Sequence, residues 1–372
     1  MSYPLLPYSQ LVFDLQKIYP GIYTTESVVR LNKREVDIPR LKAAIEKAIR
    51  NHPVFMMHVD EHARQEYSPQ TDALHGQYHS VDFQEEGESV YVTLKGNRIL
   101  GDGHSDVMII RDVMRAYCGL ALHPDKYLDY LQKMEEHKLS PRYAANRQWL
   151  EAAFNNLSCP VHPKTDFPLD ANNVPHEGTL AEDYSTLQEA LTDFAKSSLL
   201  SHTAFFSLCA ALAMMEYNEC DEAALTWAYD GRESEEEQYI YGSLHRDIPY
   251  KVQASSQKDD LIRSTRKQFR DGIAHSSYPY TLTPPHTDIW NYALNVLVQP
   301  AQQEKSIDLP FAFEIIDQPS DEPAIAYSLL DVEIYEKNKL TINYRYSATH
   351  YKPESIRRFA ALVRKYAEWL LE

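Results

Sequence analysis

"GNRILGDGHSDV", residues 96–107, decides how the rest of this chain is read. Before it, "SVYVTLK" (89–95) is rich in residues that suit a pleated surface, and Gly96 breaks the run. After it, Ser105 is placed to cap a helix through Val107, Ile110, Met114 and Tyr117, and Gly119 suits the left-handed residue that ends one. The stretch is therefore expected to be a strand-to-helix loop, where scaffolds commonly display functional groups. It carries an aspartate between two glycines, with a histidine on the far side.

Working outward, the flanks repeat the same mixture of strand and helix. Asp37 can cap a helix that begins near Pro39 and buries Leu41, Ala44, Ile45, Ala48 and Ile49, with "ESVVRLN" a strand before it and "VFMMHV" a strand after it. Later, "STLQEALTDFAK" reads as an amphipathic helix, "TAFFSLCAALAMMEY" as a buried one and "ALTWAYDGR" as a strand. "DVEIYEKNKLTINYRYS" alternates about a polar turn and predicts a hairpin. Ile356, Phe359, Ala360, Val363, Ala367 and Leu370 make one stripe on a closing helix.

At 372 residues the chain exceeds what one compact core usually holds, so two lobes are expected. The four prolines of "CPVHPKTDFPLDANNVPHEGT" (159–179) forbid a long regular element and suggest the linker, giving lobes 1–165 and 166–372. A net charge of −17 without a basic stripe argues against nucleic acid. No apolar run reaches the roughly 20 residues of a membrane span, and "MSYPLLPYSQ" lacks the pattern of a signal peptide, so the expected compartment is the cytoplasm. Cys118, Cys159, Cys209 and Cys220 have no metal-binding or redox spacing and are expected to be buried free thiols.

The glycines at 96, 101 and 103 lack both the dinucleotide order and a following Gly-Lys-Ser/Thr. His58 and His62 stand four apart, but on a strand and loop without supporting carboxylates, so surface histidines are expected and no metal site. Neither a G-x-S-x-G elbow nor an H-E-x-x-H motif is present. Asp102, in a tight loop, needs solvent or a cation, and Arg232 of "YDGRES" at the end of a second-lobe strand can supply a structural salt bridge between lobes.

With those residues in hand, "NRILGDGHS" resembles the HHxxxDG loop of nonribosomal peptide synthetase condensation domains, members of the wider chloramphenicol acetyltransferase-like acyltransferases. Other landmarks follow in order. "LLPYSQLVFDL" is similar to the opening motif, with Gln10 at its glutamine, and "AIRNHPVFMMHV" to the arginine-histidine segment, with His52 at the histidine. "PDKYLDYL" resembles the segment with Tyr127 and Tyr130, "YDGRESEEEQYIYGSLHRDIPYKV" the stretch with Gly-Arg and then Val-Gly-x-Phe-Val-Asn-Thr, and "IAHSSYPYTLT" a later histidine segment.

The resemblance implies an α/β fold, an α+β sandwich of two acetyltransferase-like lobes in a V-shaped pseudo-dimer with a tunnel between them. It also puts Asn97 and Arg98 where the two histidines stand, and Arg246 in place of the asparagine. The stretch between "PYTLT" and "NVLVQP" looks shortened. Arg98 is permanently protonated and cannot act as a general base. His104 occupies no catalytic position of the family.

Two functions follow from the resemblance. One is a stand-alone acyltransferase of secondary metabolism that moves an acyl or aminoacyl group from a phosphopantetheine-linked thioester to a small amine or alcohol. An acyl or peptidyl carrier protein would supply the donor in trans, no cofactor would be bound, and a monomer is the simplest state. Its site residues would be Arg98, Gly103 and His104, with Asp102 and Arg232 holding the loop. The other is a catalytically silent platform that recruits a carrier protein or tailoring enzyme.

Overall fold

The computed structural model describes residues 2–154, 157–169, 174–279, 293–299, 311–316, 325–326, 328–336 and 339–372. The chain forms two compact units. The first comprises Met1–Leu139, Asp230–His245 and Glu304–Asp321, and the second Ser140–Tyr229, Arg246–Gln303 and Glu322–Glu372. The first unit thus ends its opening segment at Leu139, ahead of the expected boundary at 165, and takes back two later pieces of chain.

In the first unit, β1 (Ser2–Pro4), β3 (Met57–Val59) and β4 (Arg64–Tyr67) make a small antiparallel sheet in the order β1-β4-β3. A second sheet takes β2 (Thr24–Asn32), β5 (Ser80–Glu86), β6 (Ser89–Asn97) and β11 (Phe313–Ile316) in the order β11-β2-β6-β5. Val90 and Val92 of β6 are buried while Ser89, Tyr91 and Thr93 stay partly open, the alternation a one-sided sheet requires. Its helices are α1 (Pro7–Ile18), α2 (Ile38–Asn51), α3 (Gly103–Tyr117) and α4 (Tyr127–Lys138).

The Asp37 carboxylate accepts from Arg40 N at the start of α2, and all five expected apolar positions of that helix are buried. The strand expected at "VFMMHV" forms only over β3. Pro53–Met56 is a 3₁₀ turn, which lets Val54, Phe55 and Met56 all enter the core.

The second unit is built on a mixed sheet in the order β7-β13-β12-β10-β8-β9. Its strands are β7 (Glu177–Asp183), β8 (Glu222–Tyr229), β9 (Arg246–Gln253), β10 (Asn295–Gln299), β12 (Leu330–Tyr335) and β13 (Thr341–Ser347). Around it lie α5 (Pro141–Phe154), α6 (Gln188–Ser198), α7 (His202–Asn218), α8 (Lys258–His275) and α9 (Pro353–Leu371).

Helix α7 is buried from Ala204 through Met215, so its sequence is apolar all round. The six stripe residues of α9 are all buried, each large one contributing on the order of 1.5–3 kcal/mol. The expected hairpin is β12–β13, paired antiparallel from Leu330↔Tyr346 to Tyr335↔Thr341.

The proline-rich stretch expected to link the lobes instead lies wholly inside the second unit. Pro163 O accepts from Tyr351 OH, Lys164 N donates to Asn218 Oδ1, and Asp166 takes the amide of Lys352 and the hydroxyl of Ser355. Prolines stop regular structure, but here side chains supply the hydrogen bonds that a ladder would have given. Of the cysteines, Cys209 is buried and the other three are half-buried free thiols. The stretch expected to be shortened, between "PYTLT" and "NVLVQP", lies outside the described residues except for Ala293 and Leu294, which are buried. Among the described residues no single helix is long and apolar enough to cross a membrane.

Candidate functional site

The loop between β6 and α3 lies in the first unit. Its entry is fixed by Asn97, whose Oδ1 accepts from Ile99 N at 3.0 Å and whose amide reaches Thr24 Oγ1 at 3.3 Å. Buried Ser9, on α1, donates to Ile99 O at 2.8 Å. Gly101 follows where no side chain fits, since a Cβ there would lie 2.6 Å from Tyr241 Cε1 and 2.8 Å from Ser105 Cβ.

Asp102, not the expected Ser105, is the cap of α3. Its Oδ1 accepts from Ser105 N at 3.0 Å and from Ser105 Oγ at 2.9 Å, so the serine sits inside the first turn as a donor. At the other end Gly119, at φ +76°, donates to Ala116 O while Leu120 N donates to Arg115 O, closing the helix with the paired bonds of a left-handed cap.

The Asp102 carboxylate is buried and fully satisfied. Arg232 Nη1 donates to Oδ2 at 3.0 Å and Nη2 to Oδ1 at 3.1 Å, a forked pair. The amides of Leu244 and His245 donate to Oδ2 at 3.0 and 3.1 Å. Burial pushes this carboxyl up, but Arg232 outweighs it and holds the group below its ordinary value.

Arg232 is itself fully buried and donates further to Asp230 Oδ1, Ser105 Oγ, Ile240 O and Gly242 O. The pair lies within the first unit and not between lobes as expected, because Asp230–His245 returns to that unit after β8.

Gly103 is exposed at the first position of α3, and a Cβ added there would meet nothing within 4 Å. Arg98 binds Asp106 of α3's first turn. Burial opposes its charge, yet Asp106, with smaller help from Tyr8 and Tyr241, raises its pKa further above the ordinary value. His104 turns toward the returning segment: Nε2 lies 3.2 Å from Gln238 O and Nδ1 3.6 Å from Asp230 Oδ2.

Gln10 makes a local contact to Asp14 Oδ2 at 2.9 Å on α1. Arg246 begins β9 in the second unit and donates to Ser276 Oγ. His58 and His62 are exposed.

Behind the loop, fully buried His52 stands between two carboxylates, with Nδ1 2.7 Å from Asp125 and Nε2 3.2 Å from Asp112. Burial lowers its affinity for a proton, but the two acids together raise it above the ordinary histidine value. Asp125 also receives Tyr241 N and Tyr127 N, which ties the returning segment to α2 and α4.

Sequence reasoning passed over His245, whose ring packs edge-on against Tyr8 with centroids 3.9 Å apart. The motif comparison drew attention to Arg246, one residue on. A histidine beside the aspartate's amide donors could have been flagged only by knowing that the chain turns back there.

The sequence of residues 77–371 matches the condensation domain family. No curated protein sequence matches the chain. Among solved structures, the X-domain in complex with OxyB from teicoplanin biosynthesis is similar with a TM-score of 0.79 at 14% identity, over 99% of this chain and 92% of that one. SgcC5 from Streptomyces globisporus gives 0.77 at 13% identity over 99% and 98%. The first condensation domain of the calcium-dependent antibiotic synthetase, in complex with a substrate analogue, gives 0.73 at 14% identity over 100% and 97%. These likenesses show the fold, that of condensation domains and the acetyltransferase-like α/β class expected. With the family match covering most of its length, the chain belongs to the condensation domain family.

Proposed function

We propose that the chain is an acyltransferase of the condensation type. It moves an acyl or aminoacyl group from a phosphopantetheine-linked thioester, delivered by a carrier protein in trans, to a small amine or alcohol. The observation that carries this reading is the fully hydrogen-bonded Asp102, which fixes the loop and leaves Gly103 open at the N-terminus of α3. Backbone N–H groups and the helix dipole at that point favour the negative charge that develops on a thioester carbonyl oxygen.

Arg98 cannot take a proton, so alignment and oxyanion stabilisation would carry much of the acceleration. Its guanidinium is held by Asp106 of its own unit, which supports a role in shaping the acceptor side of the loop. The chain's charge of −17 means that an acidic carrier would need a local basic or apolar patch for docking. A cytoplasmic monomer without a resident cofactor belongs to the same proposal.

A second reading is favoured by one observation, the arginine at the second histidine position. A docking platform would keep the fold and lose the base, and a structural relative, the X-domain, is known in complex with OxyB.

The test offers carrier proteins from neighbouring genes, loaded with acyl or aminoacyl thioesters, with a panel of amines and alcohols, and reads products by mass spectrometry beside Arg98→Ala. Enzyme-dependent amide or ester supports acyl transfer, with Arg98→Ala expected to lower it about 10-fold through acceptor binding. Saturable carrier binding without product from any pair supports the platform.

A further inference from the structure

The site needs a proton acceptor, and the two residues nearest the family's catalytic position do not provide one. Arg98 is permanently charged and bound to Asp106. His104 has both ring nitrogens turned to the returning segment, Nε2 toward Gln238 O and Nδ1 toward Asp230.

His245 differs from both. Its backbone N–H is one of the donors on Asp102 Oδ2, so it is rooted one hydrogen bond from the residue that precedes Gly103. Its neighbours in the returning segment converge on the same loop, since Ser243 Oγ donates to Arg98 O at 3.4 Å and the Leu244 amide also holds Asp102. The ring rests on Tyr8, a residue close enough to Arg98 to stabilise its charge. Its buried Nδ1 has no hydrogen-bond partner among the described residues. A buried polar atom left unpaired costs about 1–3 kcal/mol, and functional sites are where such costs are retained.

We propose that the His245 imidazole is the general base of this site, replacing the histidine lost at position 98, a role that rests on the acyl-transfer reading above. The acceptor nitrogen forms its bond to the thioester carbonyl carbon and gives its proton to the His245 imidazole. The carbon–sulfur bond then breaks, and the proton passes from His245 to the departing thiolate, leaving an amide and a free thiol.

The structural duty at position 245 is carried by the backbone, which allows a clean test. His245→Gln keeps polarity and His245→Phe keeps a ring against Tyr8, and both retain the amide on Asp102. Turnover of the loaded carrier would be followed from pH 5 to 9 for the parent, both variants and His245→Ala with added imidazole. The expected result is a fall in kcat of about 100-fold or more for each His245 variant with KM little changed, loss of the acid limb of the pH profile and partial rescue of His245→Ala by imidazole.

His245 variants within a few-fold of an active parent would overturn this assignment and leave acyl transfer standing. A parent with no turnover on any loaded carrier would overturn both.

Discussion

Replacing Arg232 by methionine should be the most damaging single change in the first unit. The substitution keeps roughly the length of the side chain and removes the one cation that, among the described residues, pairs with buried Asp102. Four other donors remain on the carboxylate, from Ser105 N and Oγ and the amides of Leu244 and His245. They satisfy its oxygens but do not neutralise its charge.

Breaking a buried ion pair by removing one partner costs about 3–5 kcal/mol, against a domain stability of roughly 5–15 kcal/mol. At about 1.4 kcal/mol per decade, α3 amides should exchange about 100- to 4,000-fold faster. Hydrogen exchange is the right assay because it reads the α3 amides one by one.

The pH dependence has a definite sign. Arg232 depresses the Asp102 pKa, so the carboxylate stabilises the fold above the ordinary unfolded value and that support is lost as pH falls through the lower folded value. In Arg232→Met the loss should move to higher pH. Asp102→Asn combined with Arg232→Met should recover part of the stability, because a neutral pair leaves no buried charge. Exchange rates of α3 within about 5-fold of the parent, or a double variant as unstable as the sum of the singles, would refute the reasoning.

Two further outcomes follow from other contacts. Gly101→Ala puts a Cβ within 2.6 Å of Tyr241 Cε1 and 2.8 Å of Ser105 Cβ, and should cost about 1–3 kcal/mol in denaturant melts, whereas Gly103→Ala, with open space around it, should cost less than half as much. On β12, burial pushes the Asp331 carboxyl up to about 7, with Glu333 and Asp247 adding repulsion that Arg345 and Ser328 only partly relieve. The folded state then keeps a proton that the unfolded chain loses, so this contribution is full below the unfolded carboxylate value and declines as pH rises through about 7. Asp331→Asn should flatten the drop in Tm between pH 5 and pH 8, and an unchanged drop would sink the argument.

Local physics made much of the fold legible. The 3.6-residue spacing of Leu41, Ala44, Ile45, Ala48 and Ile49, and of the α9 stripe, reports burial directly, and the β12–β13 alternation reports a half-covered hairpin. What misled was chain reading across distance. Prolines at 160–168 looked like a linker because the sequence does not reveal that Asn218, Tyr351 and His350 reach back to satisfy that backbone. Ser105 looked like a cap because serine suits the role, yet Asp102 was three residues earlier with a stronger acceptor. Arg232 was recognisable as a partner for Asp102 because a carboxylate in a tight loop needs solvent or a cation, whereas the grouping of His245 with Tyr8 depends on two segments far apart in sequence.

The return of Asp230–His245 to the first unit gives this fold a schedule. Asp102 waits 130 residues for its arginine, so a chain emerging from a ribosome at about 5–20 residues per second carries an uncompensated loop for roughly 7–26 s. By the end of that interval the strands and helices up to Leu139 have all been made, but the group that makes burying Asp102 tolerable has not. The loop should therefore set late, and a nascent chain stopped before Arg232 should present it to chaperones and proteases.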